Sequence, residues 1–283
     1  CIQGFGFEYK VLTPSDFLAL IVPVKGQSAE KPAVTAVVVS YNMTRELPRT
    51  LQTLQAPYQL GINTGDIEII LVDNGSEKTP APEDFPDIHN LRIVSFPFKT
   101  HSPVQALNLG LSLARSDLIG AFIDGARMAS PGMMQNALRA VRLSDNPVIA
   151  TLGFHLGPEV QMQSVQKGYN QRVEDALLQQ INWQEDGYRL FSISALAGSS
   201  ANGFFQPIAE SNALFMPKKL WNTLGGLDEN FVTPGGGLAN LDLYRRACEY
   251  PGNELIILLG EGTFHQVHGG VPTNLQREDA TPD

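Results

Sequence analysis

Apolar residues fall along this chain in short continuous runs separated by helical stripes. Ala33 to Ser40 (AVTAVVVS) is an unbroken β-branched run, the pattern of a parallel strand covered on both faces. Leu47, Leu51 and Leu54 then recur at spacings of four and three, with Thr44 as cap and Glu46 in the first turn, which predicts a helix over 44–54. Ile67 to Val72 is a second buried strand ending in Asp73-Asn74-Gly75-Ser76. Leu91 to Phe96 is a third, followed by a helix over 104–114 carrying Val104, Leu107, Leu111 and Ala114. Asp117 to Asp124 (DLIGAFID) is a fourth strand that stops at a carboxylate.

Strand, helix, strand in alternation predicts an α/β fold with a mostly parallel central sheet flanked by helices. Its ligand crevice lies beyond the carboxyl ends of the strands. Three polar clusters fall at those ends: Ser40-Tyr41-Asn42, Asp73-Asn74-Gly75-Ser76 and Asp124-Gly125-Ala126-Arg127. The second half is less regular. It offers a helix over 131–143, a strand over 148–154, an amphipathic stretch over 172–180, a helix over 240–248 and a strand over 254–259. Residues 1–32 read as an arm and a Pro- and Gly-bearing linker, 33–130 and 131–275 as the two halves of one domain, and 276–283 as a polar tail.

Composition narrows the function. With 43% hydrophobic and 17% charged residues, 283 residues suffice for one large core. A formal charge of −9 leaves no basic excess for phosphate backbones, which excludes nucleic acid as the expected partner. The apolar stretch Phe17 to Val24 is too short to span a membrane, and without a basic n-region followed by a small-residue cleavage site no secretory signal is expected. Two cysteines, Cys1 and Cys248, form no disulfide framework or metal motif, so the expected setting is the cytoplasm.

In this order the motifs resemble nucleotide-sugar glycosyltransferases of the GT-A fold, in the large inverting family of bacterial polysaccharide and O-antigen enzymes. The resemblance is carried by Val37-Val38-Val39-Ser40-Tyr41-Asn42, Leu71-Val72-Asp73-Asn74-Gly75-Ser76, Ala106-Leu107-Asn108-Leu109-Gly110, Phe122-Ile123-Asp124 and Leu224-Gly225-Gly226-Leu227-Asp228-Glu229. It implies transfer of a sugar from a nucleoside diphosphate to a saccharide or lipid-linked acceptor, with peripheral membrane contact in the lipid-linked case. It also implies that Ser40, Tyr41, Asn42, Asp73, Asn74 and Asn108 line the donor site. Such transfer needs positive charge on the departing diphosphate and a carboxylate to take the acceptor's proton.

Two departures from the family pattern matter. The D-x-D triplet that holds a divalent cation is Asp124-Gly125-Ala126 here, so one carboxylate is missing. Either His265 and His268 join Asp124 around a manganese or magnesium ion, or Arg127, with Lys99 or His101, supplies fixed cations. The acidic pair before the last helix aligns with Ala239 and Asn240, which leaves Asp242, Glu210 or Asp228 as the base. A binding homologue without transfer activity is the alternative reading. A sugar-nucleotide pyrophosphorylase lacks support, because its Gly-rich loop is absent after the first strand. Gly235-Gly236-Gly237 does not have phosphate-loop spacing, and Trp183, Trp221, Tyr169 and Tyr188 are candidates to stack on sugars or to pack in the core.

Overall fold

The structure, a computed structural model, describes residues 21–23, 30–98 and 100–268. Lys99, most of the arm and the polar tail lie outside the described residues. One mixed sheet of ten strands organises the chain. In chain order these are β1 (Ile21–Pro23), β2 (Val34–Ser40), β3 (Ile67–Asp73), β4 (Leu91–Ser95), β5 (Leu118–Phe122), β6 (Arg127–Ala129), β7 (Pro147–Leu156), β8 (Ser194–Leu196), β9 (Ala213–Pro217) and β10 (Glu254–His265). They lie in the order β1-β4-β3-β2-β5-β9-β7-β10-β6, with β8 beside β7.

β2, β3, β4 and β5 pair in parallel, as do β7 and β10, and β9 joins the two groups by antiparallel pairing on both sides. The carboxyl ends of β2, β3, β5, β7 and β10 therefore share one edge. Every residue of β2 and β3 is buried, because helices cover both faces. Val37, Val39, Ile70 and Val72 face α2 (Val104–Leu113), α6 (Lys218–Leu224) and α7 (Ala239–Glu249). Ala36, Val38, Ile69 and Leu71 face α1 (Leu47–Thr53) and α3 (Met133–Ala140). Leu47, Leu51 and Leu54 are fully buried, each stabilising the fold by about 2 kcal/mol.

The expected strands and helices of the first half are present, with one correction at a cap. Thr44 does not cap α1: Glu46 occupies that position without a side-chain cap, and Pro48 in the first turn needs no N–H partner. Two short helices, α4 (Gln161–Gln166) and α5 (Gln171–Ile181), follow β7. The last strand is longer than its apolar run. Gly260, at φ +78°, turns through an irregularity between Ile257 and Gly262, after which β10 resumes its pairing with β7 and ends at His265. Trp183 and Trp221 are buried, the latter donating to Ile119 O at 3.0 Å, so both are core residues.

Candidate functional site

The shared carboxyl edge gathers the first group of expected residues. Asn74 N–H donates to Ser40 O at 2.8 Å, tying the β3 exit to the end of β2. Asp73 is buried and accepts from Ser76 N–H at 3.2 Å, and Asn42 N–H donates to Ser76 Oγ at 2.8 Å. Ser40 Oγ is buried without a partner, while Tyr41 is exposed above it. Asn74 Nδ2 donates to Thr100 O at 3.2 Å and Ser102 O at 3.3 Å, and His101 O accepts from Gly235 N–H at 3.2 Å. Asn108 stands on α2. Its amide brackets Leu227, accepting from the N–H and donating to the C=O at 2.9 Å each, and so fixes the 224–229 turn to α2.

The turn at 124–127 abuts this rim, because a Cβ on Gly125 would stand 3.1 Å from Ser40 Cβ and 2.9 Å from a Leu47 methyl. Asp124 Oδ1 accepts from Ala126 N–H at 2.9 Å, and Oδ2 accepts from Arg127 Nε at 2.9 Å. Ala126, in the place of the second D-x-D carboxylate, is fully buried among apolar side chains. A carboxylate there would be desolvated without a partner. The cation-capable groups come instead from β10. His265 Nε2 lies 3.0 Å from His268 Nε2 and 3.8 Å from Asp124 Oδ2, and one ligand atom from each residue falls within 4.8 Å of the others. Burial, then the charge of Arg127, keeps His265 well below the usual imidazole range, so its ring is neutral and has a lone pair to offer. One carboxylate oxygen and two imidazole nitrogens are a donor set that suits manganese or a similar divalent ion.

A clamp holds residues 266–268 against this turn. Gln266 N–H donates to Ala126 O at 2.9 Å, and its amide donates to Glu46 O and Thr50 Oγ1 at 3.2 Å each. Val267 N–H donates to Glu174 Oε2 at 2.8 Å, and Arg45 donates to Val267 O at 3.2 Å and Glu174 Oε1 at 3.1 Å. Burial pushes the Glu174 carboxyl up to about 7, with Val267 N–H and Arg45 pulling the other way. The folded state thus keeps a proton that the unfolded chain releases from about pH 4.5. Stability from this group is present at low pH and is lost as pH rises toward 7, a change of roughly 2–3 kcal/mol. Denaturant titrations at pH 5 and pH 7.5 should show that slope, and Glu174→Gln should flatten it.

Three carboxylates are candidates for the base. Glu210 Oε2 accepts from Asn240 Nδ2 at 2.8 Å, and Asn240 also reaches Asn212 Oδ1 at 3.4 Å. Asn212 O in turn accepts from Ile123 N–H, next to Asp124 in the chain. Asn240, at the start of α7, therefore brings Glu210 to the end of β5. Asp242 instead points along α7 to Arg246, 2.7 Å away, and Arg246 is also held by Leu224 O and Gly226 O. Asp228 is exposed and accepts from Asn230 N–H and Nδ2, closing its own turn. Sequence reasoning passed over His155, near the end of β7, whose ring centroid lies 5.6 Å from that of His265.

A mixed, mostly parallel sheet flanked by helices, with a polar rim at its carboxyl edge, has the architecture of the GT-A fold. Residues 38–253 match the sequence model of the family described as "Glycosyltransferase like family 2", and the chain belongs to that family. A comparison with curated protein sequences finds no match. Among solved structures, S. aureus TarS is similar over 83% of this chain and 36% of its own, with 11% identity and a TM-score of 0.54. The fragment TarS 1–349 in complex with UDP-GlcNAc is similar over 88% of this chain and 61% of its own, at 11% identity and a TM-score of 0.57. The same fragment with UDP gives 12% identity and a TM-score of 0.54. These likenesses show the fold, and the chain spans about a third of the length of the full TarS protein.

Proposed function

We propose that this chain transfers a glycosyl group, with inversion, from a nucleoside diphosphate sugar to a hydroxyl of a saccharide or lipid-linked acceptor. The observation that supports this reading is that the polar rim and the Asp124-His265-His268 trio lie at one carboxyl edge, with Glu210 linked through Asn240 and Asn212 to the end of β5. Ser40, Asp73 and Asn74 hold the nucleoside, residues 33–130 form the donor half, and 131–275 form the acceptor half. A divalent cation on Asp124, His265 and His268 would offset the charge of the diphosphate. Glu210 takes the acceptor proton as the acceptor oxygen bonds to the anomeric carbon. The bond from that carbon to the diphosphate breaks, and its electron pair leaves on the diphosphate oxygen. Inversion rests on the family resemblance, and the cysteine usage supports a cytoplasmic setting. Among the described residues no helix is long and apolar enough to cross a membrane.

The TarS fragment solved with UDP-GlcNAc makes UDP the first nucleotide to test. Calorimetry with UDP, GDP, dTDP, CDP and ADP, with and without manganese, should give one dissociation constant between micromolar and millimolar, roughly −8 to −4 kcal/mol. Absence of binding to all five overturns the proposal. A second reading, donor binding without transfer, is favoured by the buried Ala126 and by the neutral amide of Asn240 where relatives carry an acid. Donor binding with no sugar transferred to any acceptor, and no slow hydrolysis, would select it.

A further inference from the structure

Strand register aligns three side chains that the chain order separates widely. His265 pairs with His155 in the parallel ladder of β7 and β10, and with Arg127 in the antiparallel ladder of β10 and β6. Residues opposite one another in a sheet point to the same face. The row His155, His265, Arg127 therefore emerges together where Asp124 stands.

The tautomer of His155 is fixed by its surroundings. Gln161 N–H donates to His155 Nδ1 at 2.8 Å, and a ring nitrogen that accepts carries no proton, so the neutral ring bears its hydrogen on Nε2. Among the described residues no group accepts from Nε2. Arg127, nine-tenths buried, spends Nε on Asp124 and leaves Nη1 buried with no partner. Buried donors in folded proteins are nearly always satisfied, so the buried, unpartnered Arg127 Nη1 calls for an acceptor from outside the chain, and the half-buried His155 ring in the same row stands beside it with its Nε2–H free to share that acceptor.

We propose that His155 Nε2–H and Arg127 Nη1–H together bind a phosphoryl oxygen of the diphosphate, beside the cation-capable trio. His155 is then a neutral, preset donor and Arg127 a charged one, a pairing that suits an anionic tetrahedral group. The proposal rests on the donor-binding reading above and adds to it a residue from the acceptor half of the chain.

Inorganic pyrophosphate, UDP and manganese are the probes, titrated calorimetrically into the full chain and its His155→Ala and His155→Gln variants, with folding checked by circular dichroism. His155→Ala should weaken pyrophosphate and UDP binding on the order of ten-fold, the scale of a hydrogen bond to a charged group. Manganese affinity should stay within about two-fold, which a merely structural role for His155 would not leave untouched. His155→Gln, which restores a neutral N–H, should recover part of the loss. Unchanged UDP and pyrophosphate binding in His155→Ala overturns the donor pair alone. A parallel loss of manganese binding overturns it too, because His155 would then act by supporting His265. If the unaltered chain binds neither pyrophosphate nor any nucleoside diphosphate, the pair and the donor-binding reading fall together.

Discussion

The Glu210→Gln protein is expected to lose about 10²- to 10⁴-fold in turnover, the range over which a positioned general base acts, while binding the nucleoside diphosphate as before. The reason is positional. Of the three carboxylates that could take a proton from the acceptor, Glu210 is the one linked through Asn240 and Asn212 to the end of β5. Asp242 is neutralised along its own helix by Arg246, and Asp228 closes a turn with Asn230. Glutamine keeps the size of Glu210 and, with its amide oxygen toward Asn240, keeps that hydrogen bond as well. The melting temperature should therefore move little. Asp242→Asn and Asp228→Asn serve as controls and should retain turnover within a few fold. Single-turnover measurements with saturating donor would show whether the loss falls on chemistry. Full turnover in Glu210→Gln, together with its loss in Asp242→Asn, would reassign the base.

The location of that carboxylate explains why the site was only partly legible in the sequence. Parallel strands covered on both faces produce continuous β-branched runs, so β2, β3 and β5 stand out from the residue pattern alone. Their polar exits, Ser40, Asp73 and Asp124, follow directly. The antiparallel β9 is also a continuous apolar run, and nothing in Ala213 to Pro217 reveals that it lies between β5 and β7. Yet that insertion is what carries Glu210 and Asn212 to the rim. β6 is three residues long, too short for any periodicity, though it sets Arg127 opposite His265. The reach of β10 was hidden by Gly260, since a glycine after an apolar run reads as a strand end rather than an irregularity within one. His155 was passed over for a related reason: a lone histidine at the end of an apolar strand gains meaning only from its register with His265.

Register also bears on how the missing second carboxylate of the D-x-D triplet is replaced. If His265 and His268 complete a cation site with Asp124, manganese binding should fall by at least ten-fold in His265→Ala and in His268→Ala. Chelator should then weaken donor binding, because the diphosphate loses the cation that offsets its charge. If Arg127 supplies the positive charge alone, chelator should have no effect, and Arg127→Ala should weaken diphosphate binding by about 1.5–3 kcal/mol. The geometry favours the histidines. Asp124 Oδ2 lies 2.9 Å from Arg127 Nε and 3.8 Å from His265 Nε2, so the same carboxylate oxygen faces both the guanidinium and the imidazole. The two imidazole nitrogens stand 3.0 Å apart, and the clamp of Gln266, Val267, Arg45 and Glu174 fixes the segment that bears them. Donor binding that survives chelator and both histidine substitutions, yet disappears in Arg127→Ala, would transfer the role to the arginine.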